Sequence, residues 1–498
     1  MEEQGSMNPP DSSSVEESNR SSGRGVLTSW ILPFLGFLAL LGAAILQPEF
    51  SSSTGPESFI PLAIGLAGAF LIAAAGKPFQ SAPRIGPRTK VALISIVVAL
   101  CTFISIHAGM NYDGGGRPLD FDCYASAWRT AAAGCNPYSP EDTSRFSSLS
   151  ESKPYPYIYS PAFLLLFEPM RFLSLEQMSL LWTTILAVSG WLALVFTARP
   201  LPSEGRMRFL LASIPLLLVG GPIVQALRWG NTTPFIALFI VLMIRNINGL
   251  KAGFFGAAVI LQKLIYAFPI AALRTRRAFV GMLLAYTVGI VVSSAVYEPQ
   301  IWLRYIESLS DFVVQSGYGM ANNLSLMATS SRIVDYTMSD AVFARIQDDI
   351  EARMAFNLMS NRFVTAVFAA LSMFFLCCVM IAIVLKRNRA RLTNRHIAAI
   401  LSMMIPVFAP VSWNHYGILV LPFTGLFIMG GTVGIRMSAV MPLVVWVLAP
   451  VPLRESMMIE LYDIVAGAVR PAVCMLCTLA VLCQRKSGEM TGETAGLH

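Results

Sequence analysis

The stretch KPFQSAPRIGPRTKVALISIVVALCTFISIHA, residues 77–108, decides the fold. Its first part, 77–90, holds four cations, three prolines and no acid. Its second part, 91–108, has no Asp, Glu, Lys or Arg, and it is close to the length at which an apolar helix crosses a bilayer. A basic loop feeding an uncharged helix is the pattern of a cytoplasmic loop entering a membrane. The alternation continues in both directions. Upstream lie apolar runs at 27–47 and 59–76. Downstream they recur at roughly 176–197, 208–226, 230–246, 278–297, 363–385, 397–412, 416–434, 437–452 and 461–483. The cations between them are Arg199, Arg206 and Arg208, then Arg245 and Lys251, then RTRR at 274–277, KRNRARLTNR at 386–395 and QRK at 484–486. This series places both termini in the cytoplasm. The run 27–47 follows an acidic tail rather than a basic leader, so it is expected to be a retained helix.

Composition agrees. Of the 498 residues, 55% are hydrophobic and 13% charged, with mean hydropathy +0.61. Soluble chains carry roughly 25% charged residues. A soluble enzyme, a secreted disulfide scaffold and an outer-membrane barrel with period-two strands are therefore excluded. The net charge of +7 is spread between the apolar runs instead of clustering on one face, which argues against nucleic acid as a partner. The expectation is an all-α polytopic protein of the inner (plasma) membrane, with about 12–14 transmembrane or re-entrant helices.

The chain divides into a disordered cytoplasmic tail (1–25), two added helices (26–90), a membrane domain (91–435), C-terminal helices (436–485) and a tail (486–498). Outer loops are expected near 109–156 and 298–362, each carrying amphipathic helices. In the second, Trp302, Tyr305 and Phe312, then Val342, Ile346 and Ile350, would lie apolar face down on the membrane. Cys101, Cys377, Cys378, Cys474, Cys477 and Cys483 sit in apolar runs and read as small buried hydrophobes. Cys123 and Cys135 could form a disulfide unless a helix containing Cys123 ends between them and holds them apart.

Two segments are not simple spans. Residues 157–173 are interrupted by Pro161 and Pro169 and carry Glu168, so a broken or re-entrant element is expected. Residues 252–272 lie between two basic loops and must return to the side they left, as a short hairpin would. Broken backbone at membrane depth is tolerated only where protein or a water-filled cavity surrounds it, which points to a site.

In the first outer loop, Asp120 precedes the helix-forming stretch FDCYASAWRTAAA, with Gly134 as its C-cap and Pro137 beyond. Phe121, Tyr124, Trp128 and Ala131 share one helical face. Asp120 reads as an N-cap. It also reads as a base, because a carboxylate just outside a membrane helix can take a proton from an acceptor hydroxyl. Asp122 is the second choice and Asp113 the third.

DFDCYASAWRTAAAGCNPY (120–138) resembles the opening of family 87 of the GT-C glycosyltransferases. The resemblance continues in order through YIYSPAFLLLFEPM (157–170), RWGNTTPFIALFI (228–240), GFFGAAVILQKLIYAFP (253–269), NNLSLMATSSR (322–332) and SWNHYGILVLP (412–422). It covers about residues 91–435, with Asn231 where the family usually has Gln and with the hairpin proline delayed to Pro269. It implies a GT-C-type bundle and an inverting hexosyl transfer, typically of mannose, from a polyprenyl-phosphate sugar to a lipid or glycan acceptor. It also implies Asp120 as general base. One carboxylate then suffices, because the leaving group is already a phosphate, whereas glycosidases need two. Arg332 is the first candidate to hold that phosphate and Lys263 the next.

Tyr124, Tyr159, Asn231, Asn323, Trp413 and His415 are the remaining candidate substrate contacts. Two of the candidates have a second reading: Lys263 snorkels to the inner face, and His415 with Trp413 forms an interfacial belt. Arg470, outside the matched region, reads as structural. No cofactor or metal is expected, since Asp120 and Asp122 alone make a poor octahedral set. Two alternatives stay open: a transporter or flippase for lipid-linked sugars, and a sugar-polymer ligase.

Overall fold

The computed structural model describes residues 31–43, 45–46, 60–74, 87–110, 118–147, 157–218, 221–315, 379, 383, 392–408, 414–429, 432–449 and 461–483. These residues are helical or in short connections, with no strand among them. The chain opens with α1 (Ile31–Ala43), α2 (Ile60–Ala74) and the long α3 (Pro87–Met110). After α3 come α4 (Leu119–Ala132) and α5 (Pro140–Ser144). Next come α6 (Pro161–Leu164), a 3-10 turn at Glu168–Met170, α7 (Leu175–Ala198), α8 (Ser203–Leu218) and α9 (Pro222–Trp229). They lead into α10 (Thr233–Arg245), α11 (Leu250–Gln262), a 3-10 segment Leu264–Ala272, α12 (Arg276–Tyr297) and α13 (Ile301–Gln315). The last described elements are α14 (Asn394–Phe408), a 3-10 segment Asn414–Val420, α15 (Leu421–Phe427), α16 (Val433–Leu448) and α17 (Leu461–Cys483).

Most of the apolar runs become helices because they lack interior charge; the exception is 461–483, which holds Asp463 and Arg470. Three of them among the described residues are long and apolar enough to cross a membrane: Leu175–Ala198, Ser203–Trp229 and Arg276–Tyr297. The outward faces are apolar too. On α12, Phe279, Leu283, Leu284, Val288 and Val291 are all exposed, and on α3 so are Ile96, Leu100 and Phe103. A contiguous apolar surface of this kind fits a lipid surround.

The 252–272 region is a hairpin, as its trapped position between basic loops implied. α11 and α12 run in the same direction, with Leu250 beside Gly281 and Leu261 beside Gly289. The segment 264–272 must therefore carry the chain back to the end where α11 began. Nine residues at about 2.0 Å rise match thirteen at about 1.5 Å. The pair can lie side by side because a Cβ at Gly253 or Gly281 would strike the backbone of the opposite helix.

Residues 157–173 are broken as expected, into an extended stretch, α6 and the 3-10 turn. Two other runs depart from the single spans expected. The run at 208–226 is interrupted at Gly221, whose backbone is extended, and the run at 416–434 opens as a 3-10 segment before α15. The aromatic face of α13 also differs from expectation. Trp302 donates to Ser293 Oγ at 3.0 Å and Tyr305 packs on Tyr138, while Leu303 and Ile306 are the exposed apolar residues. The aromatics serve protein packing because their N–H and ring faces find partners there.

Cys123 and Cys135 are not joined by a disulfide; the end of α4 separates them. Arg470 is fully buried. It donates through Nε to the Trp446 carbonyl at 3.1 Å and through its guanidinium to the Ala449 carbonyl, closing the end of α16. The terminal tails, Asp113, Cys377, Cys378, the side chain of Phe312, Val342, Ile346, Ile350 and all but two residues of the 363–385 helix lie outside the described residues.

Candidate active site

The site begins with a turn. α9 ends at Gly230, whose φ of +73° satisfies the last carbonyls of the helix, those of Ala226 and Leu227. Trp182 Nε1 donates to the Gly230 carbonyl at 2.8 Å and pins the turn to α7. The start of α4 rests directly on it: a Cβ at Gly230 would stand 2.9 Å from the Phe121 backbone nitrogen and 3.0 Å from Pro118 Cβ. This contact brings the next residue, Asn231, against Asp120. Asn231 Nδ2 donates to Asp120 Oδ2 at 2.6 Å, and Asn231 Oδ1 accepts from Thr233 N at 3.1 Å and Thr233 Oγ1 at 2.6 Å. The buried amide is thereby oriented from both ends.

Asp120 is not the helix cap. Pro118 occupies that position, and Asp120 falls in the first turn, where the helix dipole favours a carboxylate. Its side chain is free to face the site because it is not engaged in capping. Burial pushes the Asp120 carboxyl above the usual range, with the Asn231 hydrogen bond and the Lys263 charge pulling the other way.

Asp122 points elsewhere. It is 2% exposed and its Oδ2 accepts from Ser147 Oγ at 2.8 Å, holding the following loop. Asp122→Asn keeps an acceptor for Ser147, so the variant is expected to fold and to retain activity. An inactive, folded Asp122→Asn in a turnover assay would show that the wrong carboxylate had been chosen.

The opposite wall is the break after α11. Lys263 takes an extended backbone (φ −155°, ψ 118°) between two helical segments, and its side chain lies against Tyr416 and Tyr159. Its Nζ donates to Tyr416 OH at 3.4 Å and lies 5.4 Å from the centre of the Tyr159 ring. Its charge reaches both Asp120 and His415. Ser160 Oγ donates to the Leu261 carbonyl, fastening the extended 157–160 stretch to the end of α11.

Tyr124 and Tyr159 share a hydrogen bond at 2.8 Å, and both are buried among Phe163, Phe167 and Trp182. They hold α4 in place more than they present hydroxyls. His415 is 3% exposed, its ring 5.1 Å from that of Tyr416. Among the described residues, His415 Nε2 and Gln262 Oε1 are buried polar atoms without a hydrogen-bond partner. Such atoms destabilise a fold by about 1–3 kcal/mol each unless a ligand or water meets them, and these two lie beside the half-buried Lys263.

The structure thus brings together Asp120, Asn231, Lys263 and His415, with Tyr124 and Tyr159 behind them. Asn323, Arg332 and Trp413 lie outside the described residues. Gly230, Gln262 and Tyr416 were missed in the sequence, although each is adjacent to a chosen residue. Among the described residues no three His, Cys, Asp or Glu side chains converge, and Asp120 and Asp122 are held by different partners.

The sequence model of glycosyltransferase family 87 matches residues 157–406, half of the chain. Tyr159, Asn231 and Lys263 fall inside the match, and Asp120 lies upstream of it. No curated protein and no solved structure matches the chain.

Proposed function

The chain belongs to glycosyltransferase family 87 and is a glycosyltransferase, and from that premise we propose the rest of its chemistry. It transfers a hexose, mannose first among candidates, from a polyprenyl-phosphate donor to a lipid or glycan acceptor on the extracytoplasmic side. It works as a multi-pass protein of the inner (plasma) membrane with both termini in the cytoplasm and membrane lipids around its apolar faces. The observation that carries the mechanism is geometric: Asn231 holds the Asp120 carboxylate at 2.6 Å on one wall of the site, and Lys263 enters it from the opposite wall against Tyr416 and Tyr159.

Asp120 takes the proton from the acceptor hydroxyl as its oxygen attacks the anomeric carbon from the face opposite the phosphate. The new glycosidic C–O bond forms as the bond to the phosphate oxygen breaks, so the sugar inverts. The phosphate leaves as an anion and Asp120 leaves the step protonated. Lys263 meets the charge that grows on the leaving oxygens, and His415 Nε2 and Gln262 supply polar contacts to phosphate or sugar. Arg332, if it reaches the site, adds a second cation. No divalent ion enters this scheme, and a chelator is expected to leave transfer intact; activity lost to EDTA and restored by Mg²⁺ would overturn that.

The test is transfer of label from radiolabelled polyprenyl-phosphate mannose to a membrane-lipid extract by the protein in nanodiscs. A new labelled glycolipid supports the proposal. Donor binding without transfer, across a panel of acceptors, would favour the carrier reading over the transferase one. Lys263→Met is expected to lower kcat/KM for the donor by about 10- to 100-fold, the worth of one hydrogen bond to a charged group. Lys263→Arg should recover part of it. Unchanged donor kinetics in Lys263→Met would assign the phosphate to other residues.

A further inference from the structure

α4 is held at its catalytic end by Asn231 and Gly230, in its middle by Tyr124, and at its far end by a contact the mechanism does not use. Trp128 Nε1 donates to Glu168 Oε1 at 2.9 Å, and Tyr297 OH donates to the same oxygen at 2.5 Å. Both donors are buried and Glu168 is half-buried. Glu168 belongs to the 3-10 turn after α6, and Tyr297 is the last residue of α12. The next residue, Glu298, takes φ +83°, a backbone that an L-residue adopts only when its surroundings impose it. One carboxylate oxygen therefore joins three elements: the helix bearing Asp120, the broken 157–173 segment, and the point where the chain leaves α12 for α13.

Glu168 is not cast as a second catalytic carboxylate, because its oxygen is committed to two aromatic donors at the far end of α4. Trp128 follows Asp120 by eight residues, about 12 Å along the helix axis. Paired carboxylates in glycosidases stand about 6.5–9.5 Å apart when the sugar inverts and about 5–5.5 Å apart when it is retained.

We propose that Glu168 is a positioning residue: by accepting from Trp128 and Tyr297 together it fixes the rotation and tilt of α4, and so the placement of Asp120 against the acceptor hydroxyl. The inference rests on Asp120 being the base. Asn231 and Gly230 hold α4 at its first turn and Tyr124 holds it in its middle, so the Glu168 contact is the one that fixes its far end. A base displaced by about 1 Å forfeits about 100-fold in rate without altering how the donor is bound.

The experiment is steady-state transfer by Glu168→Ala, Glu168→Gln and Asp120→Asn in nanodiscs, with donor KM and thermal midpoint measured for each. Glu168→Ala is expected to lower kcat by about 10- to 100-fold with donor KM nearly unchanged. Glu168→Gln should restore most of the rate, because an amide oxygen accepts from both donors without carrying charge. Should Glu168→Ala fail to fold, Trp128→Phe and Tyr297→Phe each remove one donated hydrogen while keeping an aromatic ring. Each should lower kcat alone, and the double variant should depart from additivity.

Wild-type kcat in Glu168→Ala, or in both Phe variants, overturns the proposal. So does a loss that falls on donor KM, or a Glu168→Gln as slow as Glu168→Ala. If Asp120→Asn proves active, the base assignment has failed. If Asp120→Asn is inactive and Glu168→Ala is normal, only the positioning role has.

Discussion

Asp120→Asn is expected to lose about 100- to 10,000-fold in transfer rate, the range a positioned general base supplies, while still folding and binding donor. The substitution is nearly isosteric, and an Asn oxygen can accept from Asn231 Nδ2 as the carboxylate does. What disappears is basicity. The acceptor hydroxyl then has no group to take its proton as it attacks.

Thermal stability should move the other way. Burial raises the Asp120 carboxyl above its ordinary value, so the folded chain holds that proton more tightly than the unfolded chain does. The associated stability is fully present below the unfolded value of about 3.9 and is lost as pH rises through the folded value. At neutral pH the ionised carboxylate therefore burdens the fold, and Asp120→Asn relieves it. The variant should melt at or above the wild-type temperature near pH 7, with the gap closing on acidification. A variant that melts far below wild type at neutral pH would make Asp120 a structural residue. The same raised value places the acidic limb of the wild-type rate profile above the pH at which an ordinary carboxylate titrates, and that limb should vanish in Asp120→Asn.

Gly230→Ala and Gly134→Ala form a matched pair. Both glycines are left-handed, with φ of +73° and +74°. Alanine in that conformation costs about 1–2 kcal/mol at either position. At Gly134 a Cβ meets nothing within 4 Å, whereas at Gly230 it meets Phe121 and Pro118 at the start of α4. Gly134→Ala is expected to lower stability alone. Gly230→Ala should do that and also push α4 off the turn, separating Asp120 from Asn231 and reducing kcat by about 100-fold. Equal rates in the two variants, measured at equal folded fraction, would show that the α4–Gly230 contact does not govern the site.

Most of the helices can be read from charge alone, because an uncharged run of bilayer length has few other solutions. The two irregular segments also show themselves, through Pro161 and Pro169 in one case and the flanking cations of the hairpin in the other. The breaks at Gly221 and at Asn414–Val420 do not. Hydropathy carries no information about φ and ψ, so Gly220-Gly221-Pro222 inside one run and Asn414-His415 at the edge of another do not announce where the helix gives way.

The site divides the same way. Asp120, Lys263 and His415 stand out as polar residues at the edges of apolar runs. The pairing of Asp120 with Asn231 spans 111 positions and depends on a glycine turn that periodicity does not register. Tyr124 and Tyr159 looked available to a sugar, yet each uses its hydroxyl on the other. Glu168 looked like an obstacle to membrane crossing, and its two aromatic donors appear only when α4 and α12 are brought together.

The carbonyls that Arg470 closes at the end of α16 bear on how the chain is made. A translocating ribosome presents α17 after α16, with an arginine near its centre that costs about 2.5–3.5 kcal/mol to bring into lipid alone. α17 is therefore a poor passenger until α16 is already seated and offers Trp446 and Ala449 as acceptors. Biogenesis of this carboxyl end is a two-helix event. A nascent chain stalled between the two would leave α16 uncapped, and quality control would meet it in that state.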